Sequence, residues 1–470
     1  MASLPGIIGL LLFLYVRPHE LVPQLRDYNF LYIFLAISVV GILYDVSRGN
    51  TQLMMTPMLP WALLFCVWCV FTLLVHRPDL VVEKSTGIVV CLIIYLVMAY
   101  GLQQARSYLA VVTTIFVFGL FVACVGVDEG FTPFQCFIAN PIEDNGPSWP
   151  DGRECSWVEP GGARHDGIYD CTVTGDPELV YRCEHPGFFG ASSIAGRVRY
   201  LGILNDPNDL ALAISLAVPF AFMFFELRRT ALRVVLLAFT LALVALAIVF
   251  TQSRGGQLTF GVVIGSYFVK RYGWKRGLVV GALMAVPVLI LGGRPDDPNA
   301  QASTLERLAC AAAGIKMLRG SPITGVGYTL YTEHHGQTAH NAYVLPAGET
   351  GSIGMWLFGF VVYLAVKVPL AIVNLRLPDE AETKLTQAAA MAMVASLIGA
   401  AVGIAFLSWT YHYVLWIHFG LSAALFTVVK RRLPTFRVPF TWKEKLVIMG
   451  GYIGYLVVWS YYIKWKGAWD

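Results

Sequence analysis

The chain has 470 residues, of which 57% are hydrophobic and only 14% charged, with a formal net charge of +4. Its length would allow several soluble domains, but so apolar a composition places nearly all of it in lipid and describes a polytopic membrane protein. The small positive balance resides in loops and gives no reason to expect a nucleic-acid partner.

Apolar runs occur at 3–16, 28–46, 57–75, 86–101, 108–126, 203–224, 231–250, 256–270, 277–292, 353–373, 386–407, 411–429 and 445–463. Each is about long enough to cross a bilayer, the first being marginal, which predicts an all-α bundle of about 12–13 transmembrane helices. The first run lacks a basic start and a small-residue cleavage site, so it reads as a span and not as a cleavable signal. Arg48, Arg106, Arg228, Arg229, Arg233, Lys270, Arg271, Lys275, Arg276, Arg376, Lys384, Lys430, Arg431, Arg432 and Arg437 fall on one side, which the positive-inside tendency makes cytoplasmic. The other side, periplasmic or extracellular, receives two long loops, about 127–200 and 293–345, and the tip from Thr251 to Gly256. The chain divides into N-terminal spans (1–126), a cysteine-rich periplasmic loop (127–200), further spans (201–292), a second periplasmic loop with an interfacial helix (293–352) and C-terminal spans (353–470).

In the first loop, Gly, Pro, Asp and Trp without helical periodicity predict a small cap of turns and short strands. It holds Cys136, Cys155, Cys171 and Cys183, four cysteines in an exported segment, which predicts two disulfides of undetermined pairing. Zinc is the rival reading, disfavoured because the loop has no C-x-x-C pair and only His165 and His185 as further ligands. Trp149, Trp157, Tyr169, Asp151 and Asp166 can contact sugars or belong to a structural lid. Cys66, Cys69, Cys91 and Cys124 lie in apolar runs and read as packing residues.

The loop ends with Arg197-Val198-Arg199 and then Asn205-Asp206-Pro207-Asn208-Asp209, where Asp206 or Asn205 can cap a helix begun by Pro207. Capping explains the Asp/Asn cluster but not the arginines, and two of them meeting other outward arginines would make an anion site. The next outward tip, Thr251-Gln252-Ser253-Arg254-Gly255-Gly256, reads as a turn with Ser253 as a helix cap and Arg254 facing out. Arg294 adds a further outward cation in a Pro/Asp/Asn-rich loop.

From Leu305 a helix is predicted to run to Gly320, with Glu306 and Arg307 in its first turns and Ala309, Ala312, Ala313, Ile315, Met317 and Leu318 against an apolar surface. Ser321-Pro322 and Gly325-Val326-Gly327 then allow tight turns, and His334, His335 and His340 precede the run that begins near Ile353. Farther on, Trp409, Tyr411, His412, Tyr413 and His418 read as an aromatic belt with interior histidines, and the tail from Lys464 to Asp470 as an interfacial anchor. Phosphate-binding P-loops, dinucleotide fingerprints, H-E-x-x-H helices and G-x-S-x-G elbows are missing from the sequence, which weighs against nucleotide hydrolysis and the common protease types.

Three blocks, R-Y-L-G-I-L-N-D-P-N-D-L-A from Arg199, T-Q-S-R-G-G from Thr251, and E-R-L…G-S-P-I-T-G-V-G-Y…A-H-N-A-Y-V-L…G-E-T-G-S-I-G from Glu306 to Gly354, resemble the O-antigen ligase and polymerase superfamily. The resemblance implies a bacterial inner-membrane glycosyltransferase working on the periplasmic side with a polyprenyl-diphosphate-linked glycan donor. It points to Arg199, Arg254 and Arg307 for the diphosphate, to His340 as base, and to Asn341 and Glu349 in support; Arg197, from the arginine pair at the loop end, is a further substrate-binding candidate on the residue reading alone. Guanidinium forks match phosphate oxygens and keep their charge, so no metal or other cofactor is expected. A neutral imidazole can take the acceptor proton in an inverting displacement. The acceptor, a glycan, lipid or protein hydroxyl, is open, with ligation preferred to polymerisation and transport of an anionic solute as the reading from another class.

Overall fold

The computed structural model describes residues 1–26, 28–138, 149–158, 168–171, 181–292 and 298–469. Along the first third lie α1 (Leu4–Tyr15), α2 (Pro18–Leu21), α3 (Phe30–Ser47), α4 (Leu59–His76), α5 (Val81–Lys84), α6 (Thr86–Gly101) and α7 (Ala105–Phe131). Strands β1 (Gln135–Ile138), β2 (Trp149–Glu154), β3 (Ser156–Val158), β4 (Ile168–Asp170) and β5 (Tyr181–Glu184) follow. The chain then returns to helix in α8 (Pro207–Leu227), α9 (Ala231–Thr251), α10 (Arg254–Tyr272), α11 (Trp274–Gly292) and α12 (Pro298–Gly320). It ends with α13 (Tyr331–His335), α14 (Val344–Ile372), α15 (Glu380–Gly403), α16 (Tyr413–Arg432) and α17 (Trp442–Trp465).

Every apolar run of the sequence falls on a helix, but not every such helix is a full span by length and composition. Among the described residues nine helices are long and apolar enough to cross a membrane, or ten if the pair Pro78–Lys84 and Thr86–Gly101, bent by 40°, counts as one. The run at 3–16 becomes the 12-residue α1, about 18 Å long against a hydrocarbon thickness of about 30 Å. The run at 256–270 lies on α10, where Arg254, Gln257, Lys270 and Arg271 dilute the apolar content. Helices α16 and α8 are innermost, with 89% and 78% of their apolar windows buried, whereas α17 and α9 bury 22% and 28% and present most of their surface outward.

The helices run back and forth between two ends. At one end Arg431 donates to the Asn50 carbonyl, Arg432 pairs with Glu382, and Arg271 and Arg229 share Glu226. These are the loops that the sequence groups together by charge. The opposite end carries the β-strands, α12 and α13. There β1 pairs antiparallel with both β2 and β5, and β3 pairs with β4. Two disulfides tie the strands, Cys136–Cys171 and Cys155–Cys183, with Cα separations of 5.7 and 5.9 Å. Cys136 sits directly across from Cys183 in the β1–β5 register yet is bonded to Cys171. His185 packs on Phe134 and bonds to the Thr132 carbonyl. The side chains of Trp149, Asp151, Trp157 and Tyr169, like Asp166 and His165 altogether, lie outside the described residues.

Candidate active site

A cavity of about 440 Å³ opens at the strand-bearing end. Its polar side is formed by Arg197, Asn208, Gln252, Arg254, Arg307, His340 and Asn341, and its apolar side by Leu258, Leu308, Phe406, Trp459 and Tyr462. Elements far apart in sequence meet here: the end of the first loop, the starts of α8 and α10, the middle of α12, the loop before α14, and the ends of α15 and α17.

Asp206 caps α8 by accepting from Asn208 N at 2.6 Å, and Pro207 begins the helix as expected. The cap fixes Asn208, whose Oδ1 accepts from Ser253 Oγ at 2.7 Å and from Arg197 Nη2 at 3.2 Å. Arg197 Nε donates to the Thr251 carbonyl at 3.0 Å. Ser253 in turn caps α10, accepting from Gly256 N at 3.1 Å, and so orients Arg254 in the first turn. The close approach of α10 to α8 requires glycine at 256, since a Cβ there would lie 2.3 Å from that of Ala211. Arg197 and Arg254 are thereby set on one frame of two helix N-termini, each about half a positive charge and suited to an anion.

Helix α12 supplies Arg307. The helix starts at Pro298, so Glu306 and Arg307 stand in its third turn and not its first. Its buried stripe is Leu308, Ala311, Ala312 and Ile315, while Ala309, Ala313, Met317 and Leu318 are half-buried, a rotation from the face expected. Gln337 bridges Glu306 and Cys310 to the loop before α14. That loop is pinned on its other side by Thr338 Oγ1 to Ser408 Oγ (2.9 Å), Ala342 N to the Ile404 carbonyl (2.9 Å) and Thr410 Oγ1 to the Ala342 carbonyl (2.8 Å).

His340 lies between these pins with φ 48°, a left-handed conformation that costs a β-carbon-bearing residue about 1–2 kcal/mol. Among the described residues its ring nitrogens have no hydrogen-bond partner. Burial first, and the Arg307 guanidinium second, lower its pKa below the ordinary histidine value, against the opposing pull of Asp206 and Glu306. The imidazole is therefore neutral at pH 7 and available as a proton acceptor.

Asn341 supports this loop by closing the turn that leads into α14. Its Oδ1 accepts from Tyr343 N and Val344 N, and its Nδ2 donates to Tyr455 Oη at 2.6 Å. Glu349 does not line the cavity. It is buried in α14, which begins at Val344, within the segment expected to be loop, and breaks at Gly351 with φ 67° and ψ −166°. The break frees carbonyls that the 322–327 turn satisfies: Val326 N donates to Gly348 O (3.0 Å), Gly327 N to Glu349 O (2.8 Å), and Ser352 N back to Pro322 O (2.8 Å). Trp68 Nε1 completes the set on Thr350 O at 2.8 Å.

The structure departs from the expectation for Arg199. Its guanidinium is buried, donates to the Ser192 carbonyl at 2.9 Å and the Asn205 carbonyl at 3.5 Å, and does not reach the cavity. Burial pulls its pKa down, opposed by the nearby Glu184 and Glu129. Its neighbour Arg197 occupies the cavity wall instead. His334 and His335 are exposed at the end of α13, and Arg294 lies outside the described residues. Sequence reasoning missed the apolar wall; the spacing of Trp459 and Tyr462, three residues apart near the end of α17, was its only local signal.

No curated protein matches the chain. Residues 239–359 match the family model described as O-antigen ligase, an interval that contains Arg254, Arg307, His340, Asn341 and Glu349 and excludes Arg197 and Arg199. Residues 239–359 of this multi-pass membrane chain are thus similar to the O-antigen ligase family.

Proposed function

We propose that the protein is an inverting glycosyltransferase that moves a glycan from a polyprenyl diphosphate to an acceptor hydroxyl, on the periplasmic face of a bacterial inner membrane. The O-antigen ligase domain supports a glycosyltransferase-type role in polysaccharide biosynthesis. The observation that carries the finer reading is the meeting of Arg197, Arg254 and Arg307 with a neutral His340 in one cavity that also has an apolar wall. The arginines bind the diphosphate, and the wall of Leu258, Phe406, Trp459 and Tyr462 receives the first part of the lipid. An acceptor hydroxyl attacks the anomeric carbon from the face opposite the diphosphate while His340 takes its proton. The carbon–oxygen bond to the diphosphate breaks, and the guanidinium groups hold the charge that grows on the leaving polyprenyl diphosphate. Asn341 holds the backbone that follows His340, Glu349 supports from its buried place in α14, and Arg199 holds backbone carbonyls behind Arg197.

The test is incubation of purified protein with a polyprenyl-diphosphate glycan and a set of lipid and glycan acceptors, followed by identification of both products. Release of polyprenyl diphosphate with the glycan on a new acceptor supports ligation. A lengthened glycan still on polyprenyl diphosphate makes the protein a polymerase. Movement of an anionic solute across vesicles with no transfer would sink the enzyme reading altogether.

A further inference from the structure

At the cavity end of α17 the tail folds back on itself. Gly467 takes φ 71°, its N–H bonds to the Lys464 carbonyl, and Ala468 N bonds to the Ile463 carbonyl at 3.1 Å, the pattern of a glycine-terminated helix. The turn sets Trp469 on the last turns of α12, with its ring centroid 4.9 Å from the Arg319 guanidinium carbon and 5.9 Å from Lys316 Nζ. Lys464 Nζ lies 5.1 Å from the same ring, and Lys466 Nζ is 4.7 Å from that of Trp465. Two helix ends thus gather four exposed cations on two indoles.

Three cations around one ring stand about as close as a Debye length, roughly 10 Å at 0.1 M salt, and repel one another. Each of the two helix C-termini offers about half a negative charge, which leaves most of the charge of the four cations unbalanced among the described residues. Among the described residues none of the four cations makes an ion pair. The basic loops collect at the other end of the bundle, where the positive-inside tendency concentrates them, so this cluster runs against that tendency.

Its position relates it to the cavity. Helix α12 walls the cavity through Arg307, Leu308 and Ala311, and α17 through Trp459 and Tyr462. Lys316 lies five residues beyond Ala311, about 8 Å along the helix axis. Tyr461 and Trp465 are 73% and 75% exposed on a helix that presents most of its surface to lipid, so the cluster opens toward the membrane.

We propose that Lys316, Arg319, Lys464 and Lys466 form a binding site for the phosphate of an anionic phospholipid in the leaflet beside the cavity, with Trp465 and Trp469 as its floor. The site rests on the membrane orientation of the proposed function but not on the transfer chemistry. Guanidinium and ammonium groups both donate charge-assisted hydrogen bonds to phosphate oxygens, and the exposed apolar face of α17 lies alongside the acyl chains. Bound lipid joins the ends of the two helices that hold Arg307 on one wall and Trp459 on the other, and so sets the width of the cavity.

The experiment is native mass spectrometry of the purified full chain with short-chain phosphatidylglycerol or phosphatidylcholine, with inorganic phosphate as competitor. Wild type should retain phosphatidylglycerol about tenfold or more in preference to phosphatidylcholine, and added salt should reduce that preference. The combined Lys316→Gln, Arg319→Gln, Lys464→Gln and Lys466→Gln variant should lose the preference. Lys464→Gln with Lys466→Gln, changed only at the end of α17, should lose part of it and guards against misfolding of the larger variant. His340→Ala should keep the preference whether or not wild type transfers glycan, which separates the fate of this site from that of the enzyme reading. Equal retention of the two lipids by wild type overturns the proposal, as does a preference that survives both neutralised variants. Displacement by inorganic phosphate as effective as by phosphatidylglycerol overturns the lipid assignment and leaves a free-anion site.

Discussion

Ser253 Oγ donates a 2.7 Å hydrogen bond to Asn208 Oδ1, the same atom that receives Arg197 Nη2 at 3.2 Å. One amide oxygen at the start of α8 therefore fixes the cap of α10 and an arginine from the end of the cysteine-rich loop. Asn208→Ala removes an acceptor from both, at about 1–3 kcal/mol. The expected outcome is donor binding weakened by roughly 5- to 100-fold with the rate at saturating donor much less changed, read by donor titration and single turnover. Unchanged binding would mean that Arg197 is not part of the donor site.

His340 is tested by two replacements that remove the imidazole alike but differ in backbone freedom. Both His340→Ala and His340→Gly should lower the single-turnover rate by about 10²–10⁴-fold while donor binding stays near wild type. At φ 48° glycine relieves strain that alanine retains, so the Gly variant should unfold at higher temperature, by about 1 kcal/mol in stability. Full activity in either variant removes His340 from the mechanism.

The charges around His340 set the sign of the pH response. Because Arg307 lowers the imidazole pKa and Glu306 raises it, the acid limb of the rate profile should move to higher pH in Arg307→Gln and to lower pH in Glu306→Gln. In each case the active species is the neutral ring, so activity falls as pH drops through the pKa. Limbs that do not move, or that move in the same direction, would show that another group titrates.

Arg254→Lys keeps charge but loses the planar fork, and should weaken donor binding and the chemical step together. Arg199→Gln should behave differently. That side chain holds two backbone carbonyls within the fold, so its loss should lower thermal stability more than it changes donor affinity in the protein that remains folded.

The cap predicts its own chemistry. Cys136, Cys155, Cys171 and Cys183 should resist thiol labelling until reduced, with peptide mapping returning the pairs 136–171 and 155–183. Their four sulfurs lie within 4.8 Å of one another, so elemental analysis for zinc is the necessary control. One zinc per chain with all four thiols reduced would replace the disulfides with a metal site.

The helices were legible because apolar runs of this length have few alternatives, and Asp206 and Ser253 cap helix starts where their residue types indicate. The choice between Arg197 and Arg199 was not legible. The two flank the buried Val198 in one short segment, and what separates them is tertiary: the Thr251 carbonyl and Asn208 draw one toward the cavity, while the Ser192 carbonyl and Glu129, 70 residues away, hold the other back. The pairing of cysteines likewise follows no local spacing, since the cross-strand neighbours Cys136 and Cys183 each bond elsewhere. The face of α12 was misjudged because alanine surrounds it, and which alanines are covered depends on α14 and α17.

The interruption of α14 at Gly351 also bears on how the cavity can open. Hydrogen bonds cross from the 322–327 turn to both sides of the interruption, and that turn continues directly from α12. Helix α12, the turn and the first turns of α14 are consequently riveted into one block, with Arg307 at one corner and His340 at another. The loop bearing His340 braces this block against the 404–410 segment through Thr338, Ala342 and Thr410, so the spacing between its base and its cation is held from both sides. Since Asn341 and Tyr343 also bond to Tyr455 and Tyr452 of α17, entry of the proposed lipid donor would come from parting this block from α10, whose Leu258 stands on the opposite rim.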